Sequence, residues 1–256
     1  MVSLGFKSSD GGVARKAFPH MREVALVVGA YFAYMFTRKL IFTDVSVAFD
    51  NAERVVALEK HLGLFWEPVW QEWALNTAVG LVVFFNWLYI FTFFPIVITT
   101  AIILYVVDRR RYRFFRNVVL ISFVVALIIF MLFPLAPPRM LPGINDTIDM
   151  FGPAFYASRE LAAYYNAFAA MPSLHFAWTL IFGFMFMQFR WIPIKILGLL
   201  YPTVTLFAIT ITGNHYFLDA VAGGIVMVSS LTLMFLIQRQ YQRYRRRRDR
   251  PQVGAA

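Results

Sequence analysis

Two of the four histidines in this sequence stand where a long apolar run begins. His175 lies in the stretch AAMPSLHFAW, and His215 lies in TGNHYFLDAVAGG together with Asp219. Ionisable groups at membrane depth are energetically costly and by default indicate a functional site. The two histidines and the aspartate are therefore the first candidates for chemistry.

The spacing of His215 and Asp219 suits a nucleophile or a base. Residues four apart share one face of a helix, so the carboxylate can accept a hydrogen bond from one ring nitrogen of the histidine. That bond fixes the tautomer and leaves the other nitrogen available to attack or to take a proton. The spacing fits a pair of metal ligands equally well, and a satisfied interfacial histidine is a third interpretation.

The stretch MPSLH and a nearby arginine add the parts of a phosphate site. Pro172 suits the first position of a helix, where free N–H groups and the helix dipole favour an anion such as phosphate. His175 lies one turn further and could protonate a leaving oxygen. Arg139, in PLAPPRMLPG, could bind phosphate oxygens with two hydrogen bonds. Ordinary capping at Ser173 and lipid anchoring by Arg139 are the alternatives.

The composition is that of a membrane protein. Hydrophobic residues make up 60% of the 256 residues and charged residues 15%, whereas soluble domains have about 45–50% and about 25%. The sequence has no cysteine, which excludes disulfides, thiolate nucleophiles and cysteine-ligated zinc. It contains no internal repeat and no soluble domain, so residues 1–256 are interpreted as a single integral membrane domain of the all-α class.

Six apolar runs are predicted to form transmembrane helices, which makes the protein polytopic. The run at 73–107 is the least regular, because as one helix it would be about 50 Å long against a hydrocarbon core of about 30 Å. It is either one tilted span kinked near Pro95 or two short spans, and the charge pattern favours the single span. The predicted spans are 23–43, one within 73–107, 117–135, 173–189, 192–211 and 216–237.

The basic residues predict the orientation in the membrane. All but six of the 24 lysines and arginines lie in the N-terminus 1–22, in 108–116, in the turn with Arg190 and Lys195, and in the tail 238–256. Each segment borders an apolar span, so positive-inside anchoring is favoured over nucleic-acid binding. Both termini are then cytoplasmic, the N-terminal run is a retained anchor rather than a signal peptide, and the plasma (inner) membrane is the expected location.

Two segments are predicted to lie on the extracytoplasmic side. The segment 44–72 has apolar residues on one helical face, which predicts an interfacial helix with three tryptophans at headgroup level. The segment 136–171 is predicted to form a loop with short helices. In the segment 44–72, the apolar face contains Val55, Leu58, Leu62 and Phe65, and the three tryptophans are Trp66, Trp70 and Trp73. This orientation brings His175, His215 and Arg139 to one side of the membrane, and their convergence favours an enzyme.

The stretches MPSLH and HYFLDAVAG resemble the second and third motifs of the type 2 phosphatidic acid phosphatase superfamily, whose patterns read KxxxxxxRP, PSGH and SRxxxxxHxxxD. Ser173 and His175 match the second motif. His215 and Asp219 match the third, and APPR supplies Arg139 for the first. The resemblance implies that His215 attacks phosphorus to form a phosphohistidine and that His175 protonates the leaving group. It also implies substrate contacts for Ser173 and Arg139, and neither a metal nor another cofactor.

The sequence also departs from the superfamily patterns. Ile209 and Ala208 stand where the third motif has arginine and serine, and Leu132 stands where the first motif has lysine. These absences, with PSLH in place of PSGH and the stretch NAERVVALEKHLGLFWEP, resemble the inositol phosphorylceramide synthase branch. The similarity covers about residues 115–237, which we take as the catalytic core.

The resemblance to this branch implies a phosphotransferase that moves a headgroup from a phospholipid donor to a lipid alcohol, and the bilayer is its other partner. The alternative is a lipid phosphate or diphosphate phosphatase, with water as acceptor. A non-catalytic lipid transporter or scaffold is the alternative of another class. Arg38 and Lys39 are candidates to replace the missing cations, because at about 1.5 Å per residue they lie roughly 24 Å beyond Arg22, near the outer end of the first span. Snorkelling to the interface is their other interpretation.

Overall fold

The computed structural model describes residues 10–41, 45–153 and 167–248, and within these ranges the chain is almost entirely helical. The prediction of an all-α protein is therefore confirmed. The helices are α1 (Asp10–Ile41), α2 (Val45–Leu62), α3 (Glu67–Thr77), α4 (Val79–Phe91), α5 (Phe93–Val107), α6 (Arg109–Leu132), α7 (Thr147–Phe151), α8 (Leu174–Met187), α9 (Ile192–Ile211) and α10 (Phe217–Arg248).

Three helices of the described part are long and apolar enough to cross a membrane, namely α6, α9 and α10. A fourth crossing follows if α3 and α4, which meet at a bend of 120°, are counted together as one broken span. Helix α8 and the part of α5 from Pro95 to Val107 are apolar but shorter. The chain is thus an integral membrane protein, whereas the predicted number of six spans is not confirmed.

The apolar stretch 73–107, predicted as one long span kinked near Pro95, is divided among three helices. The sharp bend lies at Ala78, between α3 and α4, where the backbone leaves the helical region with φ −145° and ψ 48°. A second break lies at Thr92, between α4 and α5. Pro95 explains this second break, because a proline ring clashes with the carbonyl group four residues earlier, here that of Phe91.

Helix α2 packs one face against the rest of the protein. The buried residues are Ala48, Asn51, Ala52, Val55 and Glu59. Leu58 and Leu62, which were predicted to share a face with Val55, are 49% and 52% exposed. A hydrogen bond helps to fix the orientation of the helix, since the side-chain amide of Asn51 donates to the Pro134 carbonyl oxygen at 2.9 Å. The small side chains of Ala48 and Ala52 allow the helix to pack closely. The exposed Leu58 and Leu62 leave an apolar face that can contact lipid, and the interfacial position of the helix stays a prediction.

Helices α8, α9 and α10 pack together, and α10 also packs along α6. The core between α6, α8 and α10 includes Val118, Ile181 and Met227. Gly223 permits the closest approach of α10 to the start of α8, because a Cβ atom there would lie only 2.4 Å from the Ser173 carbonyl oxygen. This contact brings the beginnings of α8 and α10, which contain the motif residues, next to each other.

The predicted loop 136–171 is described up to residue 153 and again from 167. It contains the 3-10 turn Pro138–Met140 and the short helix α7, and any short helix within 154–166 lies outside the described residues. Gln71 of α3 fixes the loop to the end of α9, since its Nε2 donates to the carbonyl oxygens of Asn145 and Ile211 at 3.0 and 3.1 Å. The loop is thus attached to the helices beside the motif residues.

Candidate active site

His215 lies in the loop between α9 and α10, and it is almost fully buried. Its ring nitrogen Nδ1 is 2.9 Å from the Ala170 carbonyl oxygen and 3.2 Å from Oδ2 of Asp219. A carbonyl oxygen and a carboxylate both accept hydrogen bonds, so Nδ1 carries the ring proton and Nε2 carries the lone pair. Burial lowers the pKa of His215 to about 3, which keeps the ring neutral and the lone pair available near pH 7.

Asp219 lies in the first turn of α10 and is inaccessible to solvent. Its Oδ2 also accepts a hydrogen bond from the backbone N–H of Tyr216 at 2.9 Å, whereas Oδ1 is buried with no hydrogen-bond partner among the described residues. The backbone carbonyl oxygen of Asp219 accepts from the N–H of Ser173 at 2.9 Å. The carboxylate is thus held by its own helix turn and orients the His215 ring.

His175 lies in the first turn of α8, and its ring centroid is 6.0 Å from that of His215. Two aromatic rings hold it, since Tyr89 of α4 and Phe93 of α5 lie 4.3 and 4.2 Å away between centroids. The sequence analysis missed both, because single aromatic residues within an apolar run give no signal of a site. A phosphoryl group between the histidines could reach both rings, since reacting atoms approach to about 3–3.5 Å.

Arg139 lies in the 3-10 turn and is attached to the loop before His215. Its Nη1 donates to Oδ1 of Asn214 at 2.5 Å, and its Nε pairs with Oδ2 of Asp146 at 3.2 Å. The backbone N–H of Arg139 donates to the carbonyl oxygen of Gly213 at 2.8 Å. Gly213 has a φ of 69°, a left-handed conformation that glycine adopts without strain. Asn214, which the sequence analysis also missed, therefore helps to orient the guanidinium group.

Ser173 caps helix α8. Its Oγ accepts a hydrogen bond from the N–H of Phe176 at 3.3 Å, and the residue is fully buried. The helix begins at Leu174, so Pro172 precedes the capping residue instead of taking the first helical position, and that prediction is wrong. The physical reason is that the serine oxygen satisfies a free N–H at the helix start, a role for which serine is strongly preferred. The predicted contact of Ser173 with substrate stays a prediction.

A cavity of about 1310 Å³ extends from the site into the helix bundle. Apolar side chains of α1, α5, α6 and α8 form most of its wall. Within the wall, α6 runs from Tyr112 to Phe130, about 27 Å at roughly 1.5 Å per residue. At the Arg116 end, Glu23 pairs with Arg116 and accepts a hydrogen bond from Tyr112 at 3.0 Å. The site residues in the wall are His175, His215, Arg139 and Asn214. The elongated apolar shape suits the hydrocarbon part of a lipid.

Arg38 and Lys39 fall within α1, but their side chains lie outside the described part of the structure. Their predicted contact with phosphate therefore stays a prediction. No group of three or more His, Asp or Glu side chains in the described ranges is arranged to hold a metal ion. The His215 and Asp219 pair, whose spacing alone also allowed a metal site, forms a direct hydrogen bond.

Comparison with known proteins adds a family to this geometry. Residues 53–233 match the family model described as the PAP2 superfamily, which is the type 2 phosphatidic acid phosphatase superfamily that the motifs resemble. The matched region covers more than half of the chain and runs from α2 into α10. It includes His175, His215, Asp219, Arg139 and Ser173. The match does not distinguish the branches of the superfamily. No curated protein and no solved structure gives a significant match to the chain.

Proposed function

The chain belongs to the PAP2 superfamily, and from this membership we propose that it is a membrane-embedded lipid headgroup phosphotransferase that works through a phosphohistidine. In this it would be similar to the inositol phosphorylceramide synthase branch. Membership itself supports a phosphatase-type or phosphotransferase-type enzyme that acts on lipid phosphates. The observation that carries the finer proposal is that both motif histidines line one long apolar cavity.

In the first step, Nε2 of His215 attacks the phosphorus atom of the donor lipid. A P–N bond forms while the P–O bond to the leaving lipid alcohol breaks. His175, which holds a proton next to the bound phosphate anion, gives that proton to the leaving oxygen. The Nδ1 proton of His215 stays between the Ala170 carbonyl oxygen and Asp219. The negative charge of Asp219 stabilises the positive charge that develops on the ring, as the carboxylate does in a Ser-His-Asp triad.

In the second step, the hydroxyl group of the acceptor gives its proton to His175 and attacks phosphorus. The P–N bond breaks, and Nε2 of His215 regains its lone pair. His175 has then lost one proton and gained one, so the enzyme returns to its starting state. A lipid alcohol as acceptor gives headgroup transfer, and water gives hydrolysis.

The charge near the site supports a phosphodiester donor over a phosphate monoester. Arg139 supplies one positive charge, and its ion pair with Asp146 offsets part of it. Two motif cations are absent, since Ile209 and Leu132 occupy their positions. A phosphate monoester carries about −1.5 to −2 charge near pH 7, whereas a phosphodiester carries one negative charge. The smaller charge fits Arg139 better, which is the cation that the described residues place at the site, and a phosphodiester lipid is a headgroup donor.

The deciding experiment supplies headgroup-labelled phospholipids in vesicles to the purified protein, with and without a lipid alcohol, and identifies the products by mass spectrometry. We expect a new labelled phospholipid only when the alcohol is present, and no product with the His215→Ala variant. Equal release of free phosphate or free phosphorylated headgroup without the alcohol would instead support the phosphatase. If wild type and His215→Ala are equally inactive with every donor, the transporter or scaffold is favoured.

We also propose that the chain crosses the membrane six times, with both termini cytoplasmic and the site on the extracytoplasmic face of the plasma membrane. The distribution of lysines and arginines supports this orientation. Single cysteines test it, because the chain has none of its own. A membrane-impermeant thiol reagent should label Met150→Cys in intact cells and Tyr244→Cys only after lysis, both positions being exposed. The reverse pattern would contradict the orientation.

Arg38 or Lys39 is proposed to supply a further positive charge to the phosphate. One charge-assisted contact is worth about 1.5–3 kcal/mol, so Arg38→Gln or Lys39→Gln should raise KM or lower kcat by roughly tenfold or more. If both side chains only reach the interface, the double variant should insert normally and keep wild-type kinetics. That result would leave Arg139 as the proposed cation of the site.

A further inference from the structure

Two glutamates that the proposed chemistry does not use are buried beneath the start of α10. Glu59 of α2 and Glu67 of α3 are both 0% exposed. Neither forms an ion pair with a basic side chain in the described part of the chain, so no cation compensates for their burial. A buried carboxyl group without a cation is costly unless hydrogen bonds replace its water. The cost of burying both carboxyl groups indicates that they have a specific role.

Both carboxyl groups bind the first amides of the helix that contains Asp219. Oε1 of Glu67 accepts from the N–H of Phe217 at 2.6 Å, and Oε1 of Glu59 accepts from the N–H of Leu218 at 2.7 Å. The first N–H groups of a helix have no partner within it. Here the cap comes from two other helices, because the Asp219 carboxylate already accepts from the preceding amide, that of Tyr216.

The second oxygens of the two glutamates indicate a shared proton. Oε2 of Glu59 and Oε2 of Glu67 are buried and have no hydrogen-bond partner among the described residues. Burial, together with the negative charge of Glu67, raises the pKa of Glu59 to about 9. A proton on Glu59 removes one of two adjacent negative charges and provides an O–H group that Glu67 can accept. One proton can thus satisfy both second oxygens.

We propose that Glu59 and Glu67 are positioning residues that share one proton and hold the first turn of α10, so that His215 and Asp219 keep their reactive geometry. The inference rests on the proposed function, because it concerns the orientation of the proposed nucleophile. His215 lies two residues before the first anchored amide, and Asp219 lies one residue after the second. A displacement of about 1 Å at such a site can reduce the rate by roughly a hundredfold.

Glutamine substitutions test the shared proton. In Glu59→Gln, the amide oxygen can still accept from Leu218 and the amide N–H can take the place of the proton. The same holds for Glu67→Gln. In the double Glu59→Gln, Glu67→Gln variant two N–H donors face each other, and neither has an acceptor there. We expect kcat of the double variant to fall by roughly tenfold or more, with a smaller change in KM. Each single glutamine should recover most of the kcat lost in the matching alanine variant.

The matched control is the double Glu53→Gln, Glu72→Gln variant, which makes the same change at exposed positions of α2 and α3. Stopped reactions that measure the rate of phosphohistidine formation in a single turnover separate positioning from substrate binding. The single glutamine variants keep the test decisive if the double variant does not fold. The positioning role is overturned if the folded double variant keeps wild-type kcat, or if a folded single glutamine variant is as slow as the alanine variant. Failure of the proposed function is distinguishable, because wild type itself would then form no phosphohistidine.

Discussion

Asp219→Asn isolates the contribution of one negative charge to the reaction. Oδ2 of Asp219 accepts from Nδ1 of His215 at 3.2 Å and from the N–H of Tyr216 at 2.9 Å. An asparagine can place its carbonyl oxygen at the Oδ2 position and keep both hydrogen bonds. Its amide then occupies the place of Oδ1, which has no partner in the described residues. The substitution therefore preserves the shape of the site and removes the charge.

The expected loss follows from the contacts that remain. The Ala170 carbonyl oxygen, 2.9 Å from Nδ1 of His215, continues to fix the tautomer, so the variant keeps its nucleophilic lone pair. A hydrogen bond to a charged group is worth about 1.5–3 kcal/mol, which corresponds to roughly 10- to 160-fold in rate. We expect kcat to fall by this amount, with little change in KM, because Asp219 is buried behind the histidine.

The assay is steady-state transfer of a labelled headgroup to a lipid alcohol by the purified variant. Asp50→Asn, an exposed aspartate of α2, is the matched control and should keep wild-type rates. A kcat within twofold of wild type in Asp219→Asn would refute the proposed stabilisation of the His215 ring. A loss far greater than about 160-fold would mean that the asparagine reverses the tautomer in spite of Ala170.

The remaining predictions concern the phosphate, the cavity and pH. Arg139→Lys keeps the positive charge but cannot form a bidentate hydrogen bond, so it should raise KM for the donor by about tenfold in steady-state kinetics. An unchanged KM would count against phosphate binding by Arg139. Ala101 lines the cavity, so Ala101→Phe should narrow it and lower the rate most for long-chain donors. Ile103 lies outside the lining, and Ile103→Phe should not have this effect. Equal effects of the two substitutions would contradict the cavity as the lipid site. Burial next to Glu67 and Asp219 raises the pKa of Glu59 from an ordinary value of 4.5 to about 9. The stability that protonated Glu59 contributes is therefore complete below about pH 4.5 and is lost as the pH rises toward 9. Thermal unfolding should show a shallower decline over this range in Glu59→Gln than in wild type, and identical pH profiles would contradict the raised pKa.

The sequence was informative where one residue acts on another within the same short segment. The spacing of His215 and Asp219 predicted a hydrogen bond between them, and the structure contains it. The second acceptor, the Ala170 carbonyl oxygen, could not be predicted, because backbone groups are the same at every position. Tyr89 and Phe93 were equally hidden, since the helix packing that places them against His175 depends on contacts distant in sequence.

Polar groups decide which face of a helix packs against the protein, and the apolar pattern alone does not show this. In α2 the side chains of Asn51 and Glu59 face inward to bind backbone groups, so the exposed Leu58 lies on the other side. Glu59 looks like a solvent-exposed charge in the sequence, and only the neighbouring start of α10 explains its burial. In 73–107 Pro95 indicated the break at Thr92, whereas the continuous hydropathy concealed the sharp bend at Ala78.

Direct detection of a phosphorylated histidine tests the central claim, that His215 is the nucleophile. Wild-type protein is mixed with a headgroup-labelled phospholipid in the absence of an acceptor, stopped in alkali, digested and analysed by mass spectrometry. We expect label on the peptide that contains His215, loss of that label when a lipid alcohol is added before stopping, and no label in His215→Ala. Label on His175 instead, or turnover by His215→Ala, would contradict it.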